Sequence, residues 1–237
     1  MTLLIWNTLV LRQKTLRGLW RCTQVHLELQ FPHLPEYSGF VAHCHRVLPH
    51  LWMLLHSLLR EDPVRIVDST MLPVCRIHRA DQHRVAKIVA SFSKNHQGWH
   101  YGFKLHASTT LDGLLCRIYF TPASIYDGQI LPKLVDATTR VVVGDTHYGA
   151  GIMAEETRKK APALIILSPP FPTQRKKIMA DWQKFLLRRR TKIETVFDRL
   201  KEHLHLVSSF PRSIHGYLLH YVSVLLGYQI LALSCAE

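Results

Sequence analysis

The amino-acid sequence predicts an α/β fold, a mixed sheet flanked by helices and preceded by a helical N-terminal region. Three observations carry that expectation. Leu51, Leu54, Leu55, Leu58 and Leu59 recur at helical spacing near the end of residues 1–60. Residues 99–121 hold two β-rich runs around a turn. Beyond residue 127, helical and buried-strand patterns alternate, as they do where helices cover the faces of a sheet. Residues 1–62 form the helical region on this reading, and residues 63–237 the sheet domain.

Along the chain, FPHLPEYSG (31–39) carries two prolines and divides the helical region. That region serves either as an accessory surface for DNA or a partner, or simply as packing for the main domain. The run VRIVDST (64–70) is a short strand ending in polar residues. Residues 71–98 read as irregular and basic. WHYGFKLHAST (99–109) and LLCRIYFT (114–121) pair across Leu111-Asp112-Gly113. Residues 127–136 read as helix, RVVVGD (140–145) as a buried strand ending in an acid, 151–160 as helix and ALIILS (163–168) as a second buried strand. Pro169, Pro170 and Pro172 stop that strand. A long helix is expected from Arg175 to about His205, and a last one after Pro211.

The chain has 237 residues, with 30 Lys and Arg against 17 Asp and Glu, a net charge of +13. Hydrophobic residues make up 47%, and the mean hydropathy is +0.01. A chain this apolar buries a core, which excludes a disordered tail. The charge makes a polyanion, most simply nucleic acid, the expected partner. Cys22, Cys44, Cys75, Cys116 and Cys235 are odd in number, far apart and without a CxxC pair. That excludes a disulfide scaffold and gives no support to a paired-cysteine zinc site. Residues 1–10 are too short to span a membrane and lack preceding basic residues, so no secretory signal is read there. Reduced thiols in a cytoplasmic protein follow. Residues 217–235 are apolar and about long enough to span a bilayer, but contain His220, Gly227 and Gln229 and read as a buried helix, with no membrane partner.

Acids are scarce, and two stand where strands are expected to end. Asp68 closes Ile66-Val67-Asp68, and Asp145 closes Val141-Val142-Val143-Gly144-Asp145. Carboxylates at strand ends lie at the sheet rim, where ligands bind in α/β sheets; either aspartate alone reads first as a turn cap. The third acid comes from the long helix. At about 100° per residue, Val196, Phe197, Leu200 and Leu204 fall within about 60° of Ile193, and Arg190, Lys201 and Glu194 form a stripe along the edge of that apolar face. Three carboxylates suit a hard divalent cation, Mg²⁺ above all. Two such ions about 4 Å apart activate the attacking oxygen and stabilise the leaving oxygen of a phosphodiester. Between Arg175 and Lys201 stand ten Lys or Arg against three acids, an excess that suits phosphate.

VDSTMLPVC (67–75), GWHYGFKLHAS (98–108), FTPASIYD (120–127), VVVGDTHYG (141–149) and RRRTKIETVFDRLK (188–201) together resemble bacterial DDE transposases, most nearly those of the insertion sequence nine-eight-two family. The resemblance runs over most of the chain, including FPHLPEYSGF. It implies a ribonuclease-H-like catalytic fold, with Asp68, Asp145 and Glu194 as the converging catalytic acids that hold two Mg²⁺ ions, Mn²⁺ being a substitute. It implies DNA contacts from Arg190 and Lys201, which match the Arg four before and the Lys seven after the third acid; Lys104, Arg188 and Arg189 are further expected contacts. The activity implied is cleavage at the ends of an insertion sequence and attack of the freed 3′-hydroxyl on target DNA, by a homo-oligomer on DNA. Two departures stand out. Leu187 occupies the place of the family's Tyr, and His147 that of the Gly in Asp-x-Gly-Tyr, where a turn strained by a side chain is expected. Relatives also start further upstream, so a shortened N-terminal region is expected. Alternatives are a nuclease of the same fold that cuts without joining, and a DNA-binding remnant without activity.

Overall fold

The structure, a computed structural model, describes residues 1–95, 98–149, 152–169 and 179–235. The chain forms two compact units. One comprises Met1–Leu58, Pro73–Ile88 and Arg199–Glu237; the other comprises Leu59–Leu72 and Val89–Asp198.

The first unit opens with α1 (Thr2–Trp6), which runs into a π-helical turn at Asn7–Leu11. α2 (Leu16–His26) follows, its first turn capped by the Thr15 hydroxyl, which accepts from Gly18 N at 2.9 Å. The proline-bearing segment 31–39 separates α2 from α3 (Tyr37–Arg46), and α4 (Leu48–Leu58) comes directly after. The helical N-terminal region is thus present, and it breaks where its prolines stand.

The second unit holds the sheet. β1 is Val64–Pro73, β2 Ser91–Asn95, β3 Gly98–Thr109 and β4 Leu115–Pro122. After a 3₁₀ turn at Asp127–Ile130 come α5 (Leu131–Leu134), β5 (Val141–Val143), α6 (Thr146–Gly149), α7 (Ile152–Lys160) and β6 (Ile165–Leu167). α8 (Asp181–Arg189) and α9 (Thr191–Asp198) close the unit. Among the described residues the sheet has six strands, bonded in the order β2–β3–β1–β5–β6 with β4 also on β3. β2 and β4 run antiparallel to β3, while β1, β5 and β6 are parallel. This is the mixed sheet flanked by helices of a ribonuclease-H-like fold. One layer of its core joins Val67 of β1 and Val142 of β5 to Ile130, Leu131, Leu134 and Tyr148.

Three expectations are corrected. β1 continues to Pro73, so Asp68 lies within the strand rather than at its end. β2 falls in the stretch read as irregular; its side chains alternate between half-buried and exposed, and pairing with β3 rather than local apolar pattern makes it a strand. The long helix is three pieces: α8, α9, and a π-helical turn at Arg199–His203 in the first unit. The expected start at Arg175 lies outside the described residues. A π turn holds more residues than an α turn, so the even 100° spacing used to align Lys201 with Glu194 does not carry through it.

In the first unit the last helix, α10 (Ile214–Ser234), packs on α4, and Gln229 Nε2 donates to Leu58 O at 2.8 Å. It is long and apolar enough to cross a membrane, yet 61% of its most apolar window is buried within the protein. All five cysteines are free thiols.

A buried ion-pair network ties β1 to the loop before β5. Arg65, fully buried, donates to Asp136 Oδ2 at 2.8 Å, and Arg117 donates to the same oxygen at 2.6 Å. Burial opposes ionisation of Asp136. Hydrogen bonds from Thr138 and Arg65, with the Arg65 charge, outweigh it and hold the carboxyl far below the ordinary carboxylate range. A depressed acid stabilises the fold above its unfolded pKa, and that stability is lost as pH falls below about 4. Asp136→Ala, which strands the Arg65 charge, should cost about 3–5 kcal/mol at pH 7, and the cost should shrink on acidification. Urea unfolding of both proteins at several pH values checks this; a loss under about 1 kcal/mol would contradict the pairing.

Candidate active site

The parallel register of β1 and β5 aligns the first two acids. Val64 pairs with Val141, Arg65 with Val142 and Ile66 with Val143. Continued two residues past that last pair, beyond the end of β5, the register sets Asp145 level with Asp68 of β1, in a sheet whose strands lie about 4.8 Å apart. Their charges are mutually felt. Each aspartate has one oxygen on a backbone N–H. Asp68 Oδ1 accepts from Ser69 N at 2.8 Å, and Asp145 Oδ1 accepts from His147 N at 2.8 Å as it opens α6. Asp145 is therefore a turn cap as well as a member of the acidic pair.

Burial pushes the Asp68 carboxyl up to about 7, with Asp145 and Asp127 pushing the same way and the Ser69 N–H and Arg190 pulling back. Tyr148 is buried against the same group. Burial, then the charges of Asp127, Asp68 and Asp145, hold its phenol well above its ordinary pKa. Gly144 makes room for this ring, since a Cβ there would lie 2.9 Å from Tyr148 Cβ. Gly149 has no space for a side chain either, because a Cβ would overlap Ser168.

His147 departs from the expectation of strain. It sits in the right-handed turn α6, outside the positive-φ region that would demand glycine. Its ring stands edge-on to Tyr126 with centroids 5.7 Å apart, and the Tyr126 hydroxyl donates to His147 O at 3.1 Å.

The third acid is placed differently. Glu194, exposed on α9, is ion-paired at 3.0 Å with Arg190, the residue between α8 and α9. Arg190 also acts on Asp68, so the acids are linked through a cation. Among the described residues no three His, Cys, Asp or Glu side chains gather closely enough to hold one metal ion. The all-oxygen donor set of Asp68 and Asp145, with one oxygen of each held by backbone, fits a hard divalent cation.

Of the expected DNA contacts, Arg188 and Arg189 are exposed in the last turn of α8, and the Arg189 guanidinium lies 5.2 Å from the Phe185 ring centre. Lys201 belongs to the first unit. Lys104 is not on the surface. It is 6% exposed, and its ammonium donates to Asp127 Oδ1 at 2.9 Å and Ile125 O at 2.8 Å. The reason is strand parity: Lys104, His106 and Ser108 share one face of β3, which turns inward toward residues 121–134. His106 Nε2 meets Thr121 Oγ1 at 2.9 Å, and its Nδ1 is 3.7 Å from Asp127 Oδ1. Burial depresses His106 to about 4, against the pull of Asp127 and together with Lys104, so the ring is neutral at neutral pH. Sequence reasoning passed over His106 and Asp127. The alternation Lys-x-His-x-Ser was the available signal, but a polar row normally marks a solvent face.

One acid thus stands on β1 and another just past the end of β5, with Arg188 and Arg189 on the helix α8 that follows. Residues 59–214 match the model of the family described as transposase DDE domain, and the chain belongs to that family. Its function is of the transposase type, with DNA as the partner, and domains of this kind generally use a divalent metal. No curated protein and no solved structure matches the chain.

A raised acid has the opposite linkage to Asp136. Folded Asp68 holds its proton up to about 7, while the unfolded chain releases it near pH 4. Folding stability should therefore fall as pH rises between those values. In chelated buffer, Asp68→Asn should remove this decline and be more stable than the parent at pH 7.5. Parallel stability–pH curves for the two proteins would contradict the assigned burial.

Proposed function

We propose that this protein is an insertion-sequence transposase of the nine-eight-two type, which cleaves DNA at the element's ends and joins the freed 3′-hydroxyl to target DNA. The observation that carries the reading is the parallel pairing of β1 with β5, which leaves Asp145, two residues past β5, close enough to Asp68 for its charge to be felt there. These two, with Glu194, are the catalytic acids and would hold Mg²⁺, two ions on this reading, with Mn²⁺ as a substitute. When bound, the metal supplies Lewis-acid activation of water or hydroxyl and of the scissile phosphate.

The chain's own groups do the rest. Asp68 and Asp145 are anchored through one oxygen each, which fixes the direction of the carboxylates. Arg190, now paired with Glu194 at 3.0 Å, exchanges that carboxylate for DNA phosphate, and Glu194 is then released toward the aspartates. Arg188 and Arg189 grip the phosphate backbone, Lys201 of the first unit is a further phosphate contact, and Gly144 with Tyr148 keeps the Asp145 turn closed. Lys104, paired with Asp127 inside the fold, is not assigned a phosphate. Residues 63–237 carry the chemistry, preceded by the helical region, and a homo-oligomer of this cytoplasmic protein works on nucleoid DNA.

Asp68→Asn should abolish metal-dependent cleavage of a transposon-end duplex and leave DNA binding within about threefold, because the amide keeps the shape but loses the ligand charge. Cleavage surviving in the purified variant would sink the assignment. A strand-transfer assay on the parent protein separates a transposase from a nuclease, since only the former yields joined product.

Arg188→Ala and Arg190→Ala should each weaken all DNA sequences about equally and flatten the slope of log affinity against log salt by roughly 0.9. Salt titrations with unchanged slopes would remove both from the phosphate path.

A further inference from the structure

We propose that Lys104 and Asp127 are positioning residues, a built-in charge pair that sets how strongly the Asp68–Asp145 pair attracts a divalent cation; this rests on the reading of those aspartates as metal ligands.

The pair is built into the fold. Lys104 is buried on β3, and its ammonium has two acceptors on one short segment, Ile125 O and Asp127 Oδ1. A buried ion pair is a poor way to gain stability, because desolvation offsets most of the attraction. The stability of the sheet therefore gives little reason for this pair.

Its position supplies one. The segment that carries Asp127 is held at both ends. On one side Lys104 ties it to β3. On the other, the hydroxyl of Tyr126 donates to His147 O at 3.1 Å, and Gly128 lies so close that a Cβ there would be 3.1 Å from the same carbonyl. His147 stands two residues after Asp145, in the turn that Asp145 caps. Asp127 is thus fixed between β3 and the turn that Asp145 caps, and its charge is felt at Asp68 and at Tyr148. His106, which also faces Asp127, is fully buried and neutral, and the phenols of Tyr126 and Tyr148, raised by burial and by Asp127, are neutral as well, which leaves the balance to Lys104.

The local balance is three carboxylates, Asp68, Asp127 and Asp145, against the cations Lys104 and Arg190. Asp127 adds a fixed negative charge without serving as a ligand, and Lys104 offsets it. Removing either partner changes the net charge of this group by one unit, in opposite senses. A charge acting at short range through a protein interior shifts cation affinity by about tenfold or more.

The test is Mn²⁺ binding to the full purified chain, followed by electron paramagnetic resonance, with thermal melting to verify folding. Asp127→Asn leaves Lys104 uncompensated and should weaken Mn²⁺ binding about tenfold. Lys104→Met leaves Asp127 uncompensated and should tighten it. The double variant should return toward the parent affinity. A merely structural pair would lower the melting temperature in both single variants and either leave the Mn²⁺ affinity alone or move it the same way in both; either result overturns the proposal. If Lys104→Met fails to fold, the neutral double variant decides. It must bind Mn²⁺ more tightly than Asp127→Asn, and equal affinity overturns the proposal. Asp68→Asn separates the two readings. Parent binding that survives it sinks the metal assignment itself, whereas parent binding that Asp68→Asn removes, but that no Lys104 or Asp127 variant shifts, sinks the charge pair alone.

Discussion

The parallel pairing of β1 with β5 is the constraint on which the site depends. Three register pairs, ending at Ile66 with Val143, bring Asp68 and Asp145 level although 77 positions separate them in the chain. The pairing is held by groups away from the acids. Val67 and Val142 share a core layer with Leu131, Leu134 and Tyr148, and Arg65 locks the base of β1 to Asp136. Apolar burial and a satisfied ion pair thus hold together two carboxylates that repel each other. Burial first, and the charge of Asp145 after it, push the Asp68 carboxyl toward neutrality in that arrangement.

Electrostatic roles are divided between the ends of the sheet. At Asp136 two arginines and a threonine oversupply the carboxylate, and it stays ionised under all ordinary conditions. At Asp68 the surroundings are short of positive charge, and the carboxyl gains from any cation that arrives. Both are aspartates close to one strand, so their contrast comes from neighbours contributed by distant segments. A cation-deficient carboxyl pair is the donor set that the proposed function assigns to metal, while the saturated carboxylate ties β1 to the loop before β5.

Arginine and lysine are used in separate ways around the acids. Arg190 is half-buried at the join of α8 and α9, acts on Asp68 and pairs with Glu194. Its planar fork suits exchange between carboxylate and phosphate. Lys104 is enclosed, and its ammonium is held by a carbonyl and a carboxylate of one segment. A compact ammonium fits that enclosed role, and it explains how a strongly basic chain can include a lysine that no polyanion reaches.

The sequence by itself determined the local elements: the leucine rhythm of α4, the hairpin of β3 and β4 around Gly113, the short apolar strands β5 and β6, the proline break before α3, and the apolar face of α9. Those depend on periodicity and turn chemistry, which neighbouring residues specify. It also marked Asp68 and Asp145, because acids are rare and follow apolar runs. Other features were decided only by tertiary structure. β2 is a strand because β3 lies beside it, and β1 reaches Pro73 past the residue where its apolar run ends. The helix after α8 breaks at Arg190 and turns π-helical beyond Asp198, so no straight wheel could place Lys201. The inward turn of Lys104 and His106 depended on whether solvent or residues 121–134 would cover that face of β3. Asp127 joined the acidic group because a segment far along the chain folds back over the sheet. Strand pairing and face coverage are long-range choices among surfaces of similar local pattern, and only the packed chain makes them.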